Sequence, residues 1–542
     1  MKKMRKKIAI LLLALCATAT VNAAPKINGA TSADDLCGSY IWYNKQAAAN
    51  PTTNVTGDAL KALYDAGTSK SKYVYVTKVD DSTIKIWGMF EKPVTATLIF
   101  NASGSLNYID IAVNQVSGYY YYKNSSTGAV TEGDIKVSQS TWSATANNNA
   151  GGYVTYQTIR MYASGDIIYA SNNWIRQFIS ANDGKTYSYE RWVIPGYWQD
   201  PETQKYTFFN YLTAAPASYD QYNALMYVEF DKTIQNYAYT TYPVNITQDR
   251  NAVQVQNFNG GGTTVNIDLR ADNSIDIAPN QTGTFGSTEY TYYPSPEGEL
   301  GYTEGTEITG TGTEDELTWG SYSRRIASSK AGYQYSSGKI VFMNKDVNKF
   351  HFPVALTMTD AGWASFSSEK ALDFTGTGLT PYAVSAVDAT NGATLSPVEG
   401  AVAPHTGLFV SGVADNYEIP TVAEGNSLPA NALVATSQGE HTSDGQTYWG
   451  LGLDANSGQV GLKKMSAGSV AANKAYLIFD RAAAGAKSFL PFNFGGTTAI
   501  EGSLTPNPSP EGKGSLYNLQ GQRVGEGYRG IVIKNGKKVV KH

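Results

Sequence analysis

TTVNIDLRADNSIDIAPNQ, residues 263–281, decides the fold. Val265, Ile267 and Leu269 alternate with Thr264, Asn266, Asp268 and Arg270, the period of two that puts one face of a strand in a core and the other in water. Ala271-Asp272-Asn273 then supplies turn chemistry, and Ile275 and Ile277 resume the alternation. Such a short connection joins antiparallel neighbours, because parallel strands need a long crossover.

The same pattern occurs earlier in the chain. IDIAPNQ at 275–281 echoes IDIAVNQ at 109–115, and YPVNITQDRNAVQVQNF from Tyr242 echoes YVYVTKVDDSTIKIWGMF from Tyr73. SGKIVFMNK from Ser337 likewise echoes SGDIIYASN from Ser164. The offsets are 170 at Thr77, 166 at Ile109 and 173 at Ser164; order is kept, so the region reads as a duplication. Each copy is expected to be a small antiparallel barrel or sandwich, with turns such as Asp80-Asp81-Ser82 and Gly260-Gly261-Gly262. The first copy adds a short helix at 58–66, between Gly57 and Gly67, and an aromatic-dense stretch at 183–212. The fold class is all-β.

Composition narrows the role. The 542 residues carry 42 Lys plus Arg against 46 Asp plus Glu, with 38 Tyr but only 4 His and 2 Cys. Met1 to Lys7 is a basic leader, Ile8 to Leu15 an apolar run, and Val21-Asn22-Ala23 fits a cleavage site after Ala23. The reading is an exported protein with no transmembrane segment in the mature chain, since the apolar run is shorter than the roughly 18–20 residues a span needs. A lipid-bearing Cys16 is disfavoured by the bulky Leu15 before it. Removing residues 1–23 takes away five basic residues and leaves 37 against 46, a net charge of −9. An acidic chain is poorly suited to nucleic acid. Cys37 then remains as a single thiol, read as a packed residue in Leu36-Cys37-Gly38, without a disulfide framework.

Site chemistry is sparse. No His or Cys pair stands at ligand spacing, so no metal and no cofactor is expected; Asp454-Ala-Asn456-Ser-Gly458 reads as a hairpin turn. No strained Gly-X-Ser-X-Gly elbow occurs, and Gly310-Thr-Gly312 and Gly376-Thr-Gly378 lack the Lys and helix of a phosphate loop. Asp110 and Asp276 recur in both copies, as do Asn114-Gln115 and Asn280-Gln281; recurrence in a duplicated unit points to a fold requirement. A carboxylate pair for glycoside hydrolysis is defined in space rather than in sequence, which keeps a polysaccharide-acting enzyme or accessory subunit as the second function class. Trp192, Tyr197 and Trp198 are the binding candidates, because flat rings with polar rims stack on sugars; the competing expectation is that these rings pack a sheet core.

From His351 onward the chain resembles the C-terminal region of exported proteins of Bacteroides, Prevotella and relatives. AGWASFSSEKALDF (361–374), PYAVSAVD (381–388), VAPHTGLFVSG (402–412) and NKAYLIF (473–479) carry the resemblance, which implies a β-sandwich. LYNLQGQRV (516–524) with GIVIKNGKKVVKH (530–542) looks like the short tail of the same proteins, related to the type IX secretion sorting domain. Tyr517, Asn518, Gly521, Gln522, Arg523, Gly530, Asn535 and Gly536 are in pattern, and the tail reads as two hairpins with turns at Gln520-Gly521 and Asn535-Gly536. Asp81-Ser82-Thr83 looks like the O-glycosylation site these bacteria use, which would modify Ser82.

The expected organisation is a signal peptide at 1–23, a first β unit with its aromatic extension at 24–232 and a second β unit at 233–350. A sandwich at 351–500, a linker at 501–515 carrying the second of two Pro-Ser-Pro-Glu-Gly segments, and a sorting-like tail at 516–542 follow. The leading function is a non-enzymatic protein of the cell surface or medium, adhesive, structural or ligand-binding. Its expected partners are a glycan or a host or matrix protein, with secretion or anchoring machinery engaged through the tail.

Overall fold

The structure, a computed structural model, describes residues 24–494 except 47–56, 146–151, 181–186, 231–238, 296–302, 437–446, 466–469, 480–486 and some shorter gaps, together with 516–518, 523–524, 530–534 and 537–541. It is almost entirely β.

The first unit opens with a short helix, α1 (Ala33–Leu36), and five strands in meander: β1 (Gly38–Gln46), β2 (Thr68–Asp80), β3 (Thr83–Trp87), β4 (Val94–Phe100) and β5 (Leu106–Ala112). Helix α2 (Gly57–Ala66) lies between β1 and β2, where the flanking glycines predicted it. β6 (Val116–Lys123), β7 (Val130–Ser143) and β8 (Gly152–Thr155) leave the meander, and β9 (Thr158–Ser164) and β10 (Ile167–Ala170) rejoin it. β11 (Trp174–Ser180) and β12 (Tyr187–Val193) leave again, β13 (Tyr197–Gln199) and β14 (Tyr206–Phe208) form a hairpin, and β15 (Tyr211–Ala214) pairs with both β10 and β1. That last pairing closes β1-β2-β3-β4-β5-β9-β10-β15 into an eight-stranded antiparallel barrel. Eight strands enclose an interior just wide enough for side chains to fill. Tyr40, Trp42, Val76, Ile86, Ile109 and Met161 are among those that fill it.

The second unit repeats this wall. β16 (Ala224–Phe230), β17 (Tyr239–Asp249), β18 (Ala252–Phe258), β19 (Thr263–Leu269) and β20 (Ser274–Ile277) form the meander. β21 (Thr282–Phe285) and β22 (Thr288–Pro294) leave it, β23 (Ile308–Gly312) and β24 (Glu316–Trp319) return, β25 (Tyr322–Ile326) leaves, and β26 (Gly332–Phe342) closes on β16. The quoted stretch is β19 and β20, with Val265, Ile267, Leu269, Ile275 and Ile277 all buried as the alternation requires. Strand β16 lies ahead of the residue-232 boundary read from the sequence, yet it pairs within the second sheet; the first sheet ends at Ala214.

Pairing register corrects one of the three echoes. Ser164-Gly165 is the β9–β10 turn and Ile168 points into the barrel, whereas Ser337-Gly338 sits inside strand β26. By position in the wall Ile168 matches Leu317, at an offset of 149, and Leu212 matches Ile340, at 128. The 173-residue echo is a chance likeness of two strands with the same alternation. The other two hold, and the recurring Asn-Gln pair shows why. Asn114 and Asn280 both adopt left-handed φ, 65° and 63°, which asparagine tolerates. Gln115 Oε1 then accepts from Thr95 N (2.9 Å) while its Nε2 donates to Thr95 O (2.8 Å) and Ala112 O (3.2 Å). Gln281 does the same with Asn266 N (2.7 Å), Asn266 O (2.8 Å) and Ala278 O (3.3 Å). The motif is a latch that satisfies an otherwise unpaired stretch of β4 or β19 backbone.

Past Phe350, one nine-stranded sheet is covered on both faces, which explains the unbroken apolar run Leu408-Phe409-Val410. Leu408 and Val410 pack with Leu356, Leu372 and Ile419 of two smaller sheets, the sandwich half of the region. Phe409 faces the other way, onto a core around Trp449, Leu462 and Leu490. On that side the sheet curls until Ser365 Oγ donates to Ala475 O (2.5 Å) and accepts from Ala475 N (2.7 Å). In the tail, 516–518 pairs with 523–524 and 530–534 with 537–541, the two expected hairpins; Gly521, Gln522, Asn535 and Gly536 lie outside the described residues.

Candidate functional site: an aromatic wall on the first barrel

Tyr43 (β1), Tyr211 (β15), Tyr169 (β10), Tyr162 (β9) and Tyr108 (β5) stand directly opposite one another across five neighbouring wall strands. Their sequence neighbours Trp42, Leu212, Ile168, Met161 and Ile109 fill the barrel, so all five rings point outward. The rings touch along the row, with Phe208 bridging the step between Tyr211 (6.5 Å) and Tyr169 (4.8 Å). Tyr43 stacks on Tyr211 at 5.2 Å and 29°, Tyr169 meets Tyr162 at 5.9 Å, and Tyr162 meets Tyr108 edge-on at 5.8 Å. Such pairs lock each other's rotamers, giving a rigid strip rather than five independent side chains.

The β13–β14 hairpin widens the strip. Phe208 packs 4.8 Å from Tyr169, Tyr197 5.7 Å from Tyr169, and Tyr206 stacks with Phe208 at 17°. Gly196 allows the hairpin to approach: a Cβ there would overlap the Ala170 carbonyl at the end of β10. Tyr43 and Tyr206 are 41% and 53% exposed and the other rings half-buried, so the strip is open to solvent. At the far end the Arg160 guanidinium lies 3.8 Å from the Tyr108 ring centre and grips Asp110 through two bonds of 2.8 and 2.7 Å. Burial, then the neighbouring phenols, pushes the hydroxyls of Tyr169 and Tyr197 above their ordinary value of 10, and burial does the same to Tyr211 beside Tyr43. At neutral pH they are intact O–H groups that both donate and accept.

Of the sequence candidates, Tyr197 joins this wall. Trp198 is half-buried, with Lys61 Nζ of α2 6.0 Å over its ring. Trp192 lies on β12 opposite Arg176, and its side chain is outside the described residues. The competing expectation, that Tyr197 and Trp198 pack a sheet core, is corrected: both are partly open on the barrel's outside, because the strand alternation already fills the inside with aliphatic residues and Trp42. Tyr43, Tyr108, Tyr162 and Tyr169 were missed. Each sits at the outward position of an alternating strand, which is legible locally, but the row exists only once register is known.

The recurring carboxylates do not meet. Asp110 is held by Arg160 in the first barrel, and Asp276 by Arg270 at 2.7 Å in the second. Ser82 is exposed in the β2–β3 turn, its amide and hydroxyl both donating to Asp80 Oδ1 at 2.8 and 3.0 Å. Cys37 donates to Ala33 O, and burial pushes its thiol up, which disfavours the reactive thiolate. Ala23 lies outside the described residues, while Tyr517, Asn518, Arg523 and Gly530 lie on the tail strands. Among the described residues no group of three or more His, Cys, Asp and Glu is placed to hold a metal ion, and no helix is long and apolar enough to cross a membrane.

The second barrel carries a different row at the matching positions: Tyr227, Lys339, Thr318, Thr311 and Ser274. Comparison of the chain with protein-family models, curated proteins and solved structures finds no match, so the meaning of these rows rests on their geometry.

Proposed function

We propose that this is an exported, non-enzymatic surface or secreted protein that holds a glycan on the tyrosine wall of its first barrel. The observation that carries the reading is the five-ring row Tyr43-Tyr211-Tyr169-Tyr162-Tyr108 at positions where the second barrel closes with one tyrosine and four polar aliphatic side chains. A row that the fold does not need, half-exposed and ringed with hydroxyls, calls for a ligand with flat apolar faces edged by hydroxyls. Pyranose rings have that character. Neighbouring strands lie about 4.8 Å apart, so the row offers one ring for roughly each step along an extended sugar chain. The basic leader ending at Ala23 supports export, and the two-hairpin tail, which resembles a sorting domain, supports engagement of secretion or anchoring machinery. A hydrolytic reading has less behind it: the recurring carboxylates sit in separate barrels, each engaged by arginine.

Affinity electrophoresis of the full chain through gels containing soluble starch, mixed-linkage β-glucan, xylan or galactomannan tests the proposal. At least one polysaccharide should retard the protein, and Tyr162→Ala/Tyr169→Ala should restore its mobility. Retardation by none of them, or equal retardation of the variant, overturns it.

A further inference from the structure

The two barrels enclose a cleft of about 1130 Å³. Its floor is apolar, formed where Tyr75 and Trp87 of the first barrel pack with Leu225, Val341 and Met343 of the second. Its far wall is the second barrel's version of the tyrosine row: Tyr227, Thr318 and Lys339 all line it. Thus three of the five positions that face open solvent on one barrel line a cleft on the other.

We infer that this cleft is a second binding site, which takes the end of a neutral polyhydroxylated chain. The inference rests on the glycan reading above for ligand class and on the cleft's own geometry for place. Ligand pockets favour domain interfaces and run to about 1,000 Å³, so this one has room for several sugar rings. Trp87 is its platform. The indole is half-buried, its Nε1 donates to Thr77 Oγ1 at 3.0 Å, and Lys85 Nζ lies over its face 4.5 Å from the ring centre, so the ring is fixed before a ligand arrives and a sugar stacking on that face takes the ammonium's place. The lining charges argue for a neutral ligand. Five lysines face four carboxylates. Lys339 is bonded to both oxygens of Glu316 at 3.0 Å, and Lys78 to Asp34 and Asp81 at 2.8 Å. Charges already paired offer fixed hydrogen-bonding edges and little net field, which suits hydroxyls and disfavours an anion.

Calorimetric titration of the full chain with maltohexaose, cellohexaose and xylohexaose, with hexagalacturonate as the charged counterpart, tests this. At least one neutral hexamer should bind. Trp87→Ala should weaken it about tenfold or more, as loss of an aromatic anchor does. Thr318→Trp, which fills the cleft from the opposite wall, should weaken it comparably, so the result does not hang on one variant's folding. Each titration is made on the full chain carrying Tyr162→Ala/Tyr169→Ala, which lacks the outer wall's central rings, so the hexamer binding read is the cleft's own and stands apart from polysaccharide retardation by the wall. Binding by none of the neutral hexamers, binding that survives both cleft substitutions, or preferential binding of hexagalacturonate overturns the inference.

Discussion

The two barrels close in the same order around the same kind of core, yet one turns a row of tyrosines to solvent, whereas the other's outer row is Tyr, Lys, Thr, Thr and Ser, the first three lining the cleft between the barrels. Inside, the residues match in character: Trp42, Ile168 and Leu212 of the first stand where Met226, Leu317 and Ile340 stand in the second, all buried. The difference teaches which positions the fold constrains. Closure asks for apolar side chains on the inner face and for the Asn-Gln latch; it asks nothing of the outer row. What occupies that row is therefore open to selection for binding.

The largest effect should come from the cores. Trp42→Ala and Trp319→Ala each remove a nearly fully buried indole and should each cost about 3–5 kcal/mol, read by urea unfolding; a much smaller cost in one barrel would break the equivalence of the cores. Next in size is the latch. Gln115→Ala and Gln281→Ala remove the same hydrogen bonds from each barrel and should cost about 1–2 kcal/mol apiece, and unequal losses would show that the shared motif is not shared in role. Replacing Tyr162 and Tyr169 by Thr, after the second barrel's row, should cost no more than about 1–2 kcal/mol of stability, since the rings contribute edge and stacking contacts rather than core burial. Retardation by the polysaccharide, which the wall carries, should nevertheless be lost. A loss as large as the tryptophan substitutions would mean that the row serves the fold.

The smallest expected effect is in pH. Tyr169, Tyr197 and Tyr211 have raised pKa values in the folded chain, so the unfolded chain loses these protons first as pH climbs. Their contribution is complete below pH 10 and falls away above it. Unfolding scans from pH 7 to 11 should be flat until about 10 and then decline, less steeply in Tyr169→Phe. A decline already under way at pH 8 would contradict the raised values.

Much of this architecture was legible in the sequence. Val265-X-Ile267-X-Leu269 specified strand and face, the Asn-Gln repeats marked a shared fold requirement, and Lys534-Asn535-Gly536-Lys537 marked a hairpin whose strands do pair. Closure of β15 on β1 was not legible, because it joins residues about 170 positions apart through an excursion with its own alternation. The false echo at Ser337 has the same cause: any two alternating strands resemble each other, and only pairing tells them apart. The tyrosine wall was half legible. Tyr197 stood out in a local run of rings, whereas Tyr43, Tyr108, Tyr162 and Tyr169 are scattered in sequence and become neighbours only through register.

Hydroxyl-radical footprinting of the full chain, with and without the polysaccharide that retards it, tests the central claim most directly. The wall predicts protection of Tyr43, Tyr162, Tyr169 and Tyr206 in the first barrel, with the exposed Tyr333 of the second unchanged. Unaltered labelling of those four, with protection gathered on the region beyond Phe350, would contradict it.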